Sequence, residues 1–153
     1  MKEKMIDAWD LYNDGYYICI LTNGNTKLQM ISYTKSEPYA IMGAGIAAQA
    51  KTMFPELPKL LGYNLKNYGN HVYLYDDLRL FTFPTKNNYW EPSEIGLICQ
   101  SCSELMNFMD NVGIEKVALP RPGCGFGGLK WKDVKQEIYM RLDDRVTIVR
   151  EEK

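Results

Sequence analysis

The chain has 153 residues, 46% of them apolar and 24% charged, with a formal net charge of −1. That size and balance describe one soluble globular domain, 1–153, able to bury a core, and they exclude the strong basic field of a long nucleic-acid groove. No run approaches the ~18 apolar residues of a membrane span, and the opening MKEKMIDAWD lacks the apolar core of a signal peptide, so the expected compartment is the cytoplasm.

The first strong element is Tyr16 to Thr22, YYICILT. Its β-branched and aromatic residues predict a buried strand, ended by the turn residues Asn23-Gly24-Asn25. Lys27 to Tyr39 is polar and irregular and reads as a small hairpin or a surface loop. Gly43-Ala44-Gly45 then opens a helix over Ile46 to Phe54, with Ile46, Ala47, Ala50, Met53 and Phe54 at helical spacing. Pro55 and Pro58 end that helix, and a shorter one is expected to run to Leu61.

Val72 to Tyr75 and Leu78 to Phe83 read as strands on either side of Asp76-Asp77. The loop Pro84-Thr85-Lys86-Asn87-Asn88 follows. Loops at strand ends carry function in α/β folds, although an isolated loop lysine such as Lys86 is commonly a solvated charge. Ser93 is the expected N-cap of a helix over Glu94 to Asn111, ended by Gly113. Lys116 to Leu119 is a strand leading into LPRPGCGFGGLKW, Leu119 to Trp131. A helix over Trp131 to Leu142 and a strand over Val146 to Val149 complete the order.

The four cysteines, Cys19, Cys99, Cys102 and Cys124, are expected as free thiols. Cys99 and Cys102 form a C-x-x-C inside a predicted helix, with no second pair or histidines at ligand spacing, so neither a metal site nor a redox motif is expected. The single histidine, His71, opens a strand and reads as a surface or packing residue.

Strands alternating with helices imply a three-layer α/β fold, whose ligands bind outside the carboxyl ends of the strands. Four loops meet there: Asn23 to Asn25, Ile41 to Ile46, Pro84 to Asn88 and Pro120 to Gly128. Two are rich in small residues and open helices. Exposed amides in such loops suit the two phosphates of a pyrophosphate, although glycines in tight turns also occur for geometry alone.

Taken together, MGAGIAAQAKTMFP (Met42 to Pro55), FPTK (Phe83 to Lys86) and LPRPGCGFGGLKW resemble a macrodomain over nearly the whole chain. The similarity is to the compact branch of terminal ADP-ribose glycohydrolases, DNA-ADP-ribose-removing antitoxins, ADP-ribose-1''-phosphate phosphatases and many phage-encoded members. It implies an α/β/α fold with a central mixed sheet, ADP-ribose or an ADP-ribosylated substrate as ligand, and no cofactor. Nucleic acid enters only as a modified substrate.

The resemblance also assigns residues. Asp10, with the Leu11 amide beside it, matches the acidic residue that contacts adenine, though an aspartate before the first strand also reads as surface. Asn23 matches a polar contact to the distal ribose. Gly43, Ala44, Gly45 and Ile46 match the loop lining that ribose and a phosphate. Pro122, Gly123, Cys124, Gly125, Phe126 and Gly127 are the ligand-binding residues expected of the second phosphate-binding loop. Phe126 reads as a cover for the ligand or as loop packing. Lys86 matches the lysine acting at C1'' of the distal ribose, either attacking the opened sugar or stabilising a leaving group; attack requires that burial lower its pKa. The terminal glycohydrolase carries an acidic partner where this chain has Gly127, a departure that points toward the antitoxin-like members. Three activities stay open: glycohydrolase, ADP-ribose-1''-phosphate phosphatase and non-enzymatic reader.

Overall fold

A computed structural model describes residues 1–150. Eight strands and five helices follow in order: β1 (Lys2–Met5), α1 (Ala8–Asn13), β2 (Tyr17–Thr22), β3 (Thr26–Ser32), β4 (Lys35–Ala40), α2 (Gly45–Met53), α3 (Leu57–Tyr68), β5 (Leu74–Tyr75), β6 (Leu80–Pro84), α4 (Ile95–Val112), β7 (Val117–Pro120), α5 (Trp131–Tyr139) and β8 (Val146–Arg150). Short 3₁₀ turns occupy Asp76–Leu78 and Gly125–Gly127.

Six strands form one mixed sheet in the order β1-β8-β7-β2-β6-β5. Five run parallel, and β5 is antiparallel to β6 at the edge. Alternation along the strands divides the core in two. In β2, Cys19 faces the α4 and α5 side, with Phe81, Phe83, Val117 and Leu119 beside it. Ile18 and Ile20 face the α1, α2 and α3 side, with Leu80, Ala118 and Val149. Both faces are therefore apolar and covered, as a mainly parallel sheet requires. The result is the expected three-layer arrangement around a mixed sheet.

Several local expectations change. The segment Lys27 to Tyr39 resolves as a hairpin, β3–β4, a separate two-stranded sheet. It lies on α3 where Gly62 leaves room: a Cβ there would stand 2.5 Å from Tyr39 Cα and 2.6 Å from the Pro38 carbonyl oxygen. Leu28, Met30, Ile31 and Tyr33 of the hairpin face solvent. Pro58 does not end a helix; it lies in the first turn of α3, where its missing N–H costs nothing, and the helix runs to Tyr68 rather than Leu61. The strand expected over Val72 to Tyr75 shrinks to Leu74–Tyr75, leaving His71 in the preceding loop, paired with Glu104 at 2.7 Å. Neither β1 nor α1 was expected; both are short, and β1 is exposed along its length. The last helix ends at Tyr139, not Leu142.

The cysteines behave as expected of unpaired thiols. Burial raises the pKa of Cys102 to about 12 and that of Cys19 well above its ordinary value. Among the described residues no cluster of three potential metal ligands exists, and no helix is long and apolar enough to cross a membrane.

Candidate functional site

The carboxyl ends of β2, β6 and β7 deliver three of the four predicted loops to one edge of the sheet, and α2 opens with the fourth. Between them lies a cleft of about 690 Å³, within the size range of small-molecule sites. Asn23, Gly43, Ala44, Gly45, Ile46, Lys86, Gly123, Cys124, Gly125, Phe126 and Gly127 all line it. Thr22, Lys27, Met42, Thr85, Tyr89 and Ser93 complete most of the wall.

Three of the expected residues lie elsewhere. Asp10 sits on the solvent side of α1, and Leu11 is buried beneath that helix, so neither reaches the cleft. Pro122 is buried behind the second loop. An aspartate that does lie close to the cleft is Asp7, the N-cap of α1, whose Oδ1 accepts from the Trp9 N–H at 2.9 Å. Asp7 and Ala8 line a second hollow with Ile46, Gln49 and Arg121. That hollow shares Leu21, Gly45, Ile46 and Cys124 with the main cleft. The two therefore adjoin as one depression, Asp7 lining one part of it and Lys86 the other. The sequence signal was present in Asp7-Ala8-Trp9, an aspartate ahead of a helical turn.

The loop bearing Lys86 is held from several sides. The Gly24 N–H donates to the Asn87 carbonyl at 2.9 Å, and the Asn70 amide donates to the Lys86 carbonyl at 3.1 Å. The Thr85 N–H donates to the Thr22 carbonyl at 3.1 Å, and the Glu94 N–H to the Thr85 carbonyl at 2.9 Å. The backbone at Lys86 is thus fixed, while its side chain is half-buried in the cleft wall. Lys86 and Lys27 are the charged residues of the lining, and no carboxylate is among the described lining residues. The local charge suits an anion. Lys27 carries no signal in the sequence because a lysine in a polar segment reads as solvated until the hairpin brings it to the border of the cleft.

Ser93 does not cap α4. Glu94 holds the N-cap position without a side-chain hydrogen bond. Ser93 is buried against the second loop, its N–H donating to the Gly127 carbonyl at 2.9 Å. Its hydroxyl has no protein partner. A Cβ built on Gly127 would collide with Ser93 Oγ and stand 3.0 Å from Ser93 Cβ. A side chain at position 127 therefore requires Ser93 to move. Burial raises the pKa of the Cys124 thiol and Arg121 only partly offsets this, which disfavours the thiolate.

A mixed sheet between two helical layers, with two glycine-bearing loops across its strand ends, is the architecture of a macrodomain, and the chain has the macrodomain fold. The macrodomain of Thermus aquaticus DarG superposes with a TM-score of 0.76 at 22% identity, covering 99% of this chain and 97% of that one. A Thermosipho africanus DarTG structure in complex with ADP-ribose gives a TM-score of 0.66 at 22% identity, over 86% of this chain and 37% of that one. In sequence, the chain is similar to a DNA ADP-ribosyl glycohydrolase of Thermus aquaticus, 30% identical over 113 residues, which covers 67% of this chain and 31% of the relative. The chain spans about a third of the length of the curated relatives it matches first. No family model matches.

Proposed function

We propose that this macrodomain binds ADP-ribose and hydrolyses its link to a macromolecule, with Lys86 at the reaction centre and ADP-ribosylated DNA as the substrate class. One observation carries the reading: Lys86 is held at the end of β6 in the same cleft as both small-residue loops. In this reading the loops Gly43–Ile46 and Gly123–Gly127 take the diphosphate between them. Asp7 rather than Asp10 receives the adenine amino group in the adjoining part of the depression. Asn23 and Lys86 meet the distal ribose, and DNA leaves from C1'' beside Lys86. The choice of DNA follows the Thermus aquaticus relative named above, a DNA ADP-ribosyl glycohydrolase.

The test is ADP-ribose release from an ADP-ribosylated oligonucleotide by the wild type and by Lys86→Ala. Release by the first and not by the second supports the reading; equal release by both removes Lys86 from the reaction centre. A non-enzymatic reader is the second reading, favoured by the lack of a carboxylate among the described lining residues. Tight binding of ADP-ribose without turnover on modified DNA or modified protein would select it.

A further inference from the structure

Two aromatic side chains stand beside the part of the cleft that holds Lys86. Tyr89 lines the cleft, and Trp90, the next residue, packs against it from outside the lining. They form an edge-to-face pair with ring centroids 5.1 Å apart and planes at 85°. Both stay open to solvent, Tyr89 at 50% and Trp90 at 67%. Exposing rings of that size forfeits the burial they would gain in the core.

The loop that presents them is ordered by its own hydrogen bonds. Asn25 Oδ1 accepts from the Tyr89 N–H at 2.7 Å, and the Asn25 amide donates to Asn88 Oδ1 at 2.9 Å. The Glu91 N–H donates to the Asn88 carbonyl at 3.1 Å. A loop pinned at these points presents its rings in a fixed orientation, so a partner that stacks on them orders little on arrival. The positive charge lies in the cleft lining, on Lys27 and Lys86, while the Glu91 and Glu94 carboxylates accept from the neutral Asn88 and Asn87 amides and keep their charge, so the rings offer a face to a base rather than a contact to phosphate.

We propose that Tyr89 and Trp90 form a stacking platform for a nucleobase next to the bond that is cut, so that the substrate is held by single-stranded nucleic acid as well as by its ADP-ribose. The proposal rests on the glycohydrolase reading of the cleft. Aromatic faces accept any base, so the platform confers preference for a single strand without sequence preference. Trp90, outside the cleft wall, serves this contact alone, whereas Tyr89 also borders the ADP-ribose.

The experiment measures ADP-ribose release from an ADP-ribosylated single-stranded oligonucleotide and from an ADP-ribosylated protein, and titrates free ADP-ribose, with wild type, Trp90→Ala and Trp90→Phe. The expected result is a rise in KM of about tenfold for the oligonucleotide in Trp90→Ala, the size of one lost base stack. Its kcat and its Kd for free ADP-ribose stay at wild-type values, and Trp90→Phe recovers most of the loss. An unchanged KM, or an equal rise with the protein substrate, overturns the platform. Wild-type release from protein but not from DNA also overturns it and leaves a hydrolase standing. A wild type that binds no free ADP-ribose overturns the underlying reading instead.

Discussion

Asn25 joins the root of the hairpin to the loop that follows Lys86: its Oδ1 accepts from the Tyr89 N–H at 2.7 Å while its amide donates to Asn88 Oδ1 at 2.9 Å. The side chain also belongs to a residue whose own N–H is satisfied by Asn23 Oδ1 at 3.0 Å. Two loops far apart in sequence thus share one polar clasp, and the Lys86 loop keeps its shape through it.

Asn25→Ala removes both side-chain bonds. Each such bond contributes about 1 kcal/mol net, so the expected loss is ~1–2 kcal/mol, a fall in Tm of several degrees for a chain of this size. ADP-ribose release should fall more than ADP-ribose affinity, because the clasp lies at the Lys86 part of the depression. Thermal melting and single-turnover release measure the two effects; a release rate at the wild-type level would show that the loop holds its shape without Asn25.

Lys86→Ala should lower release by about a hundredfold or more, the scale of losing a group that acts on the reacting atoms. Affinity for free ADP-ribose should stay close to that of the wild type, because the loops proposed to take the diphosphate are untouched. Isothermal titration beside a release assay separates the two quantities. A parallel loss of affinity would make Lys86 a binding residue rather than a reaction-centre one.

Much of this arrangement is legible in the sequence, and the parts that are not share a physical cause. The strands β2, β6 and β7 and the helices α2 and α4 carry long apolar patterns, and the loops between them follow from their order. Lys86 and both small-residue loops therefore reach one cleft as expected. The elements β1 and α1 carry too few buried residues to show a period: β1 buries none, and α1 buries only Ala8 and Leu11. The resemblance alone points to Asp10 there, whereas Asp7, three residues earlier, is the aspartate that lines the adjoining hollow. Pro58 reads as a helix end in sequence because a proline stops a helix from inside and starts one from its first turn. Ser93 has an N-cap's sequence context, yet its N–H is drawn to the Gly127 carbonyl, a tertiary contact that no local pattern announces.

The pairing of Ser93 with Gly127 predicts a result of opposite sign at two positions. The buried Ser93 hydroxyl has no partner, and leaving such a group unpaired costs roughly 1–3 kcal/mol. Ser93→Ala should accordingly raise the melting temperature of the unliganded protein. Gly127→Asp should lower it, because the new side chain meets Ser93 Oγ, and Ser93→Gly in the same molecule should recover part of that loss. Melting curves of these variants and of Ser93→Gly alone decide it; additive effects of Gly127→Asp and Ser93→Gly would mean that the residues are not coupled.

Gly125 lies at the tip of the second loop with φ +71°, and a Cβ there meets nothing within 4 Å. A side chain is therefore strained in backbone by ~1–2 kcal/mol but not blocked. Gly125→Glu should fold and lose ADP-ribose binding, because a carboxylate in the loop repels the diphosphate. Gly125→Gln carries the same strain without the charge and should retain more affinity than Gly125→Glu. Equal affinities in the two variants would place the diphosphate elsewhere.

Arg145 ties the end of α4 to the entry of β8, contacting Asp110 Oδ1 and Asp143 Oδ2 at 2.8 Å each. The hydrogen bond from the Arg145 guanidinium holds the Asp143 carboxyl below its ordinary pKa of 3.8. A carboxylate whose pKa is depressed in the folded state adds stability that is complete above the unfolded value and disappears as the pH falls through the folded one. The pair is partly exposed, so its contribution is small, ~0.2–1 kcal/mol. Arg145→Ala should thus be less stable than wild type at neutral pH by about that amount, with the gap narrowing as the pH drops below about 4. Urea titrations at neutral and acidic pH measure the gap; a difference that stays constant with pH would assign the loss to the packing of the arginine stem instead.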